Sequence, residues 1–507
     1  MDIRHFMTDF GFGHQETKHL IVEQDGKLWL TLASDGMGMF MMATAAGEKG
    51  LFEIDLIHDG ESIDYAYTAT PYSIKISSDK GNVKLAIDAS KRAIRIVSDS
   101  KDLDLKFDAK SEVSGITSRN TAKGSRISIG GGHYYFIAKT GTISFDDTWI
   151  RNKFHSITPV VNVASDAEEI ELLVFEVEAE EEPNEDVLSI EACEKAAKAS
   201  LKSYAEKLVS VPDKYNNLRE EVSYLMWLNH RKRPDGSKII LENTLLSANS
   251  HPFLQAVASL AFANAADAIS LISSMGWQGV PIQGLATHRI FKRGNFKFVS
   301  RGEVYKLFDL LRSQVGWWTR HRSLGGLLYY AYRTEPQMKT KSLFSVGEPV
   351  FSPDINTYIS AAFKAMSLIS GHFQNSADEQ TYEDFASRQE KQMLLALWDD
   401  SEFYVENIYT AQTVAPDLII KLMPLALGEA LPGEVSKRLA AQIDNDILNA
   451  VHGAFVILGL NDCGEEEIAS KLVEGKLEEA KEKGINCPIH GALLLTLIHD
   501  VLKEEGK

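Results

Sequence analysis

Up to about residue 185 the apolar residues of this 507-residue chain recur at every second position, and beyond Val211-Pro212 they recur at helical spacing. No single-layer fold accommodates both patterns, so the chain is expected to build a β-rich part and an α-rich part in that order. The runs H-L-I-V-E-Q and K-L-W-L-T-L flank Asp25-Gly26, a two-residue hairpin signal. Further runs, among them L-F-E-I-D-L-I, Y-S-I-K-I-S, V-K-L-A-I-D and E-I-E-L-L-V-F-E-V-E, follow at turn-marked intervals and read as an antiparallel sandwich. The acidic run Glu178 to Glu182, closed by Pro183-Asn184, ends the strand pattern. These switches divide the chain into a β-sandwich domain over 1–185, a linker helix within 186–212 and a helical domain over 213–507. Within the last, Leu254 to Met275 is apolar almost throughout and is expected to form one inner helix. Phe385 to Leu397 and Gly433 to Asp446 are amphipathic, as outer helices are.

With 44% hydrophobic and 24% charged residues the chain has a globular composition. Three widely spaced cysteines, Cys193, Cys463 and Cys487, argue against a disulfide framework or a zinc cluster. No apolar run reaches the roughly 18 residues of a membrane span, and the N-terminus lacks a secretion-signal pattern, so a cytoplasmic protein is expected. A formal charge of −18 disfavours nucleic acid and anionic membranes as partners. Between Gly284 and Lys341, however, twelve Lys or Arg face three acids, a local +9. Two readings of that segment stand: a solvated face or subunit contact in a homo-oligomer, and a cavity tuned to an anionic sugar.

The stretch Glu348 to Ile359, E-P-V-F-S-P-D-I-N-T-Y-I, stacks signals for a helix start. Ser352 is placed to cap, Pro353 pre-sets the first helical φ, and Asp354 and Asn356 bring acceptors to unpaired N–H groups. Several segments occur in fixed order around it. They are R-K-R-P-D-G-S-K-I-I-L-E-N from Arg231, M-G-W-Q-G-V-P-I-Q from Met275, V-G-W-W-T-R-H-R-S-L-G-G-L-L-Y-Y-A-Y-R from Val315, L-W-D-D-S-E-F-Y-V from Leu397, and P-D-L-I-I-K-L-M-P-L-A-L-G-E-A-L-P from Pro416. Together, over about Tyr224 to Leu431, they resemble the (α/α)6-toroid glycoside hydrolases of the processing α-glucosidase, trehalase and mannosylglycerate hydrolase type. The resemblance implies a C-terminal (α/α)6 toroid after the β-sandwich and a carbohydrate-active enzyme without a cofactor or catalytic metal.

The departures fall where that family keeps its chemistry. The stretch matching its general acid reads S-H-P-F-L-Q-A, the loop matching its Ser-Gly-x-Asp contacts reads T-E-P-Q-M-K-T-K, and its C-terminal base has no counterpart after Asp444. Hydrolysis with inversion needs two carboxyl groups about 6.5–9.5 Å apart, so other groups have to supply them. The candidates for proton transfer are Glu348, Glu335, His251 and His321, the last flanked by Arg320 and Arg322. Trp317, Trp318, Trp277 and Trp398 are candidate floors for sugar rings, with Gln278, Arg320, Arg322 and Asp354 as polar contacts, Asp354 as an acceptor and not as a proton carrier. Asp399 and Asp400 are read as hairpin formers. Glycosidic cleavage of a small, acidic saccharide is the first expectation. Lyase or isomerase chemistry by proton abstraction and a non-catalytic sugar-binding pseudoenzyme are the alternatives.

Overall fold

The computed structural model describes all residues except 33–50, 109–116, 121–123, 130–131, 150–156, 167–168, 178–181, 233–236, 244–251, 275–280, 295–298, 335–341, 445, 448–450, 486 and 503–507. The chain divides into two compact units.

The first unit comprises Met1–Glu206 with Ser223–Gly236 and Leu241–Asn249. Its two antiparallel sheets arise from period-two strands: in Asp104–Asp108, Leu105 and Phe107 are buried while Asp104, Lys106 and Asp108 are not. One sheet runs from Phe12–Gly13 through Phe52–His58 and Asp104–Asp108 to Thr142–Trp149; the other runs from Thr117–Asn120 through Gly132–Thr140 and Glu171–Val177 to Ala66–Ala69. Aromatic side chains join them, with Phe52 and Phe107 of one sheet 5.8 and 5.3 Å from Phe136 of the other. The hairpin at Asp25-Gly26 forms as expected, with φ of 52° and 77° and Gln24 opposite Lys27. Helix α1 (Ile190–Ala205) starts where the Ser189 hydroxyl accepts from Ala192 N–H, and it packs Ile190 and Cys193 against Ala86 of the second sheet. The second half of α2 (Asn216–Asn229) also belongs to this unit, where Tyr224 donates to the Gly11 carbonyl.

The second unit holds helices α3 (Pro252–Ser259), α4 (Ala265–Ser273), α5 (Gln283–Arg293), α6 (Arg301–His321), α7 (Pro353–His372), α8 (Ser376–Leu397), α9 (Leu418–Leu422), α10 (Gly433–Ala440), α11 (Gly453–Asp462), α12 (Glu466–Lys483) and α13 (Pro488–Val501). Neighbouring contacts run from α3 to α5, to α7, to α9 with the 3-10 segment Met423–Ala430, to α11, to α13 and back to α3. That closed circuit is an inner ring, and α4, α6, α8, α10 and α12 alternate with it along the chain. The first half of inner helix α7 is covered on every side: all residues from Pro353 to Phe363 are buried. Two glycines permit the closest approaches, since a Cβ at Gly284 would lie 2.6 Å from the Ala362 backbone and one at Gly459 1.8 Å from the Leu425 carbonyl.

Three expectations are corrected here. The apolar stretch from Leu254 is two helices, not one, because Asn264 accepts from Ala266 and Asp267 N–H and starts α4 afresh. The helix expected over Gly433 to Asp446 ends at Ala440. Part of the basic segment is structural: Arg289 and Lys292 pair with Asp462 at 2.9 and 3.1 Å, and Arg293 pairs with Asp500 at 2.7 Å, tying α5 to α11 and α13.

Candidate functional site

Helix α6 begins with a reciprocal Ser300–Glu303 capping box and ends at His321, one residue before a small antiparallel sheet. The sheet's strands are Ser323–Leu324, Leu328–Ala331, Val350–Phe351, Val405–Asn407 and Thr413–Val414. Gly325 and Gly326, with φ of 62° and 73°, turn the first hairpin. This sheet carries the chain from outer helix α6 to inner helix α7, and Trp317, Arg320, His321, Arg322, Glu348 and Asp354 lie on or beside the segments it joins.

On its exposed side Arg322 lies between two rings, its guanidinium carbon 5.0 Å from the Trp317 centroid and 4.9 Å from that of Tyr332. Its Nη1 donates to the His321 carbonyl at 2.9 Å, so the fork is held rather than free to sweep. Tyr330 stands 6.2 Å from Tyr332, and its hydroxyl donates to the same His321 carbonyl. Tyr332 shares a hydrogen bond with the phenol of Tyr409, which is 75% exposed. His321 and Arg320 are exposed at the end of α6, with the His321 ring 5.4 Å from Trp317. Glu348 is also exposed, and its Oε2 accepts the Arg333 N–H at 2.7 Å across the strand entry to α7.

The first turn of α7 is different in kind. The Ser352 hydroxyl donates to Asp354 Oδ1 and does not cap the helix, contrary to the expectation from sequence. Asn356 is not a cap either. It behaves as a piece of strand, accepting from Tyr329 N–H and donating to the Tyr329 carbonyl, both at 3.0 Å, while Gln389 of α8 donates to its backbone carbonyl at 2.7 Å. Asp354 and Tyr358 are fully buried one helical turn apart, and among the described residues neither Asp354 Oδ2 nor the Tyr358 hydroxyl has a hydrogen-bond partner. Burial pushes the Asp354 carboxyl up to about 6, and the Ser352 hydroxyl and Ile355 N–H offset that only in part. Burial first, and the neighbouring Asp354 second, drive the Tyr358 phenol well above its ordinary value.

The remaining expected residues separate. Trp318 is 1% exposed and belongs to the core, because successive residues of a helix point to different faces and Trp317 takes the outer one. Trp398 packs on Phe403 at 5.0 Å and closes a hairpin whose turn Asp399 shapes by accepting from Ser401 and Glu402 N–H. Glu335, His251, Trp277 and Gln278 lie outside the described residues. Tyr330, Tyr332, Tyr409 and Tyr358 were not singled out from the sequence; the i, i+4 spacing of Tyr358 from Asp354 was the available signal. Among the described residues no group of three or more metal-ligating side chains converges.

No family model matches the sequence, and no curated protein matches it significantly. Solved structures do resemble the fold. A bacterial glucoamylase complexed with acarbose is 12% identical, covers 98% of this chain and 94% of its own, and superposes with a TM-score of 0.59. A family GH92 α-mannosidase from Bacteroides thetaiotaomicron is 10% identical, with 97% and 81% covered and a TM-score of 0.54. A further GH92 glycosyl hydrolase is 11% identical, with 92% and 77% covered and a TM-score of 0.51. The chain thus has the architecture of an antiparallel β-sandwich followed by an α/α toroid, a fold shared with glycoside hydrolases.

Proposed function

We propose that the protein is a carbohydrate-active enzyme that cleaves a glycosidic bond in a small, acidic saccharide at the α7 end of the α6–α7 sheet. The observation that carries this reading is the Arg322 fork stacked between Trp317 and Tyr332, on the strands that lead into inner helix α7. Flat aromatic faces suit the C–H faces of a sugar, and a guanidinium suits a carboxylate. Glu348, held by Arg333 N–H at the strand entry to α7, is assigned as the base that takes the proton of the attacking water. Substrate gripping falls to Arg322, Arg320, Trp317 and the tyrosines. Trp277 and Gln278 keep their assignment as sugar contacts, and Glu335, His251 and His321 remain alternatives to Glu348.

The test is turnover of glucosides, glucuronides and sugar-acid disaccharides in H₂¹⁸O. Hydrolysis places the label at the anomeric carbon of one product. An alkene absorbance without label would replace this reading with elimination, and neither turnover nor calorimetric binding would replace it with a pseudoenzyme.

A further inference from the structure

Asp354 Oδ1 accepts from the Ser352 hydroxyl, but among the described residues Asp354 Oδ2 and the Tyr358 hydroxyl meet no hydrogen-bond partner. A helix start buried in an apolar ring gains nothing from a carboxyl oxygen and a phenol left without hydrogen bonds, since each orphan costs stability. The surrounding ionisable groups are engaged elsewhere. On α8, Glu390 and Glu383 face Lys364 at 3.4 and 3.5 Å; on α5, Arg289 faces Asp462 and His288 is held neutral by burial and by Arg289; Lys421 of α9 pairs with Glu402. The ionisable groups of α6 nearest the small sheet, Arg320 and His321, lie at its exposed end, and the Tyr329 hydroxyl of the neighbouring strand meets Thr319 and Gly326. Among the described residues no cation bonds to Asp354.

Resting on the hydrolase reading above, we infer that Asp354 is the general acid of the proposed cleavage and that Tyr358 positions the leaving oxygen beside it. Asp354 Oδ1 is committed to the Ser352 hydroxyl, so the proton resides on Oδ2, the oxygen that is unpartnered. Its proton passes to the glycosidic oxygen as the C1–O bond breaks and the bonding pair stays on that oxygen. Water adds to C1 and gives its proton to Glu348, leaving a sugar hemiacetal and a free alcohol. Asp354 is reprotonated from solvent. Both atoms are covered, so a sugar reaches them only when the covering side chains move. The desolvated setting that keeps the proton near neutral pH is the one a general acid requires.

The experiment compares Asp354→Asn with the wild type on methyl and 2,4-dinitrophenyl glycosides of glucose and glucuronic acid, in both anomers. A dinitrophenolate leaves without protonation. The expected result is a fall in kcat/KM of about 10² or more on the methyl glycoside, and less than about 10-fold on the dinitrophenyl one. Tyr358→Phe, which removes one hydroxyl, lowers kcat on the methyl glycoside by about 10-fold, the scale of one hydrogen bond, and keeps the wild-type pH dependence. Equal losses on both leaving groups, an unfolded Asp354→Asn chain, or full activity on the methyl glycoside would each overturn the assignment. A wild-type chain inert toward every glycoside would end the hydrolase reading and this role with it.

Discussion

The exposed rim around Arg322 and the buried first turn of α7 use the same kinds of residue under opposite conditions. On the rim, Arg322, Tyr332, Tyr409 and Glu348 are stacked or hydrogen-bonded at the surface, where solvent screens charge and single interactions are weak. At the α7 start, Ser352, Asp354, Asn356 and Tyr358 are wholly buried, and each bond made or missed counts at low dielectric. On the proposed reading the difference sets the two carboxyls apart: the exposed Glu348 works beside the ligand-gripping Arg322, while the desolvated Asp354 changes its proton affinity.

The largest effect is expected at Asn356, which belongs to the buried turn but has every bond satisfied. Asn356→Ala removes its paired bonds to Tyr329 and the bond to the Ser352 carbonyl, and should destabilise the chain by about 3 kcal/mol or more in denaturant unfolding. A loss below about 1 kcal/mol would erase the contrast with the rim.

Asp354 in the same turn should respond in the opposite sense. Its folded-state value is raised from 3.8 to about 6, so the folded chain binds the proton more tightly than the unfolded one. The associated stability is fully present below about pH 4 and is lost as pH rises through about 6. Asp354→Asn cannot ionise, so relative to the wild type it should gain up to about 3 kcal/mol at pH 8 and nothing at pH 3.5. Destabilisation at both pH values would make Asp354 a structural residue.

At the rim the effects should be kinetic. Glu348→Gln should lower kcat by about 10², with the melting temperature unchanged, since its carboxylate meets only one exposed N–H. Smallest of the four, Arg322→Ala should weaken an acidic ligand by about 1.5–3 kcal/mol and its neutral analogue hardly at all. Arg322→Lys should fail to restore it, because an ammonium cannot occupy the slot between Trp317 and Tyr332 as a plane. Equal weakening of both ligands would assign Arg322 to the fold.

Local signals were legible in the sequence wherever neighbours along the chain decide the outcome. Asp25-Gly26 set its hairpin, and the alternation in Asp104–Asp108 marked its buried face. The break between α3 and α4 was also local, but Asn264 is one of several polar residues scattered through a mostly apolar run and composition concealed it. What was not legible depended on partners distant in sequence. Lys292 meets Asp462 170 residues on and Arg293 meets Asp500 207 residues on, so the local charge excess gave no measure of how many cations remained for a ligand. Ser352 carried a capping residue type at the capping position, yet a carboxyl two residues away took its hydroxyl. The adjacent Trp317 and Trp318 looked equivalent until the helix placed one at the rim and the other in the core.

The claim that the general acid resides in the buried turn, apart from the ligand-reading Arg322 and the base Glu348 at the rim, is tested most directly by the pH dependence of kcat/KM on a methyl glycoside. With Asp354 as the acid, the wild-type rate should fall as pH rises through about 6, the value at which burial lets that carboxyl release its proton. Arg322→Ala should lower the whole curve without moving that limb, and Asp354→Asn should abolish it. A limb that persists in Asp354→Asn, or a wild-type rate that stays flat beyond pH 8, would contradict the account.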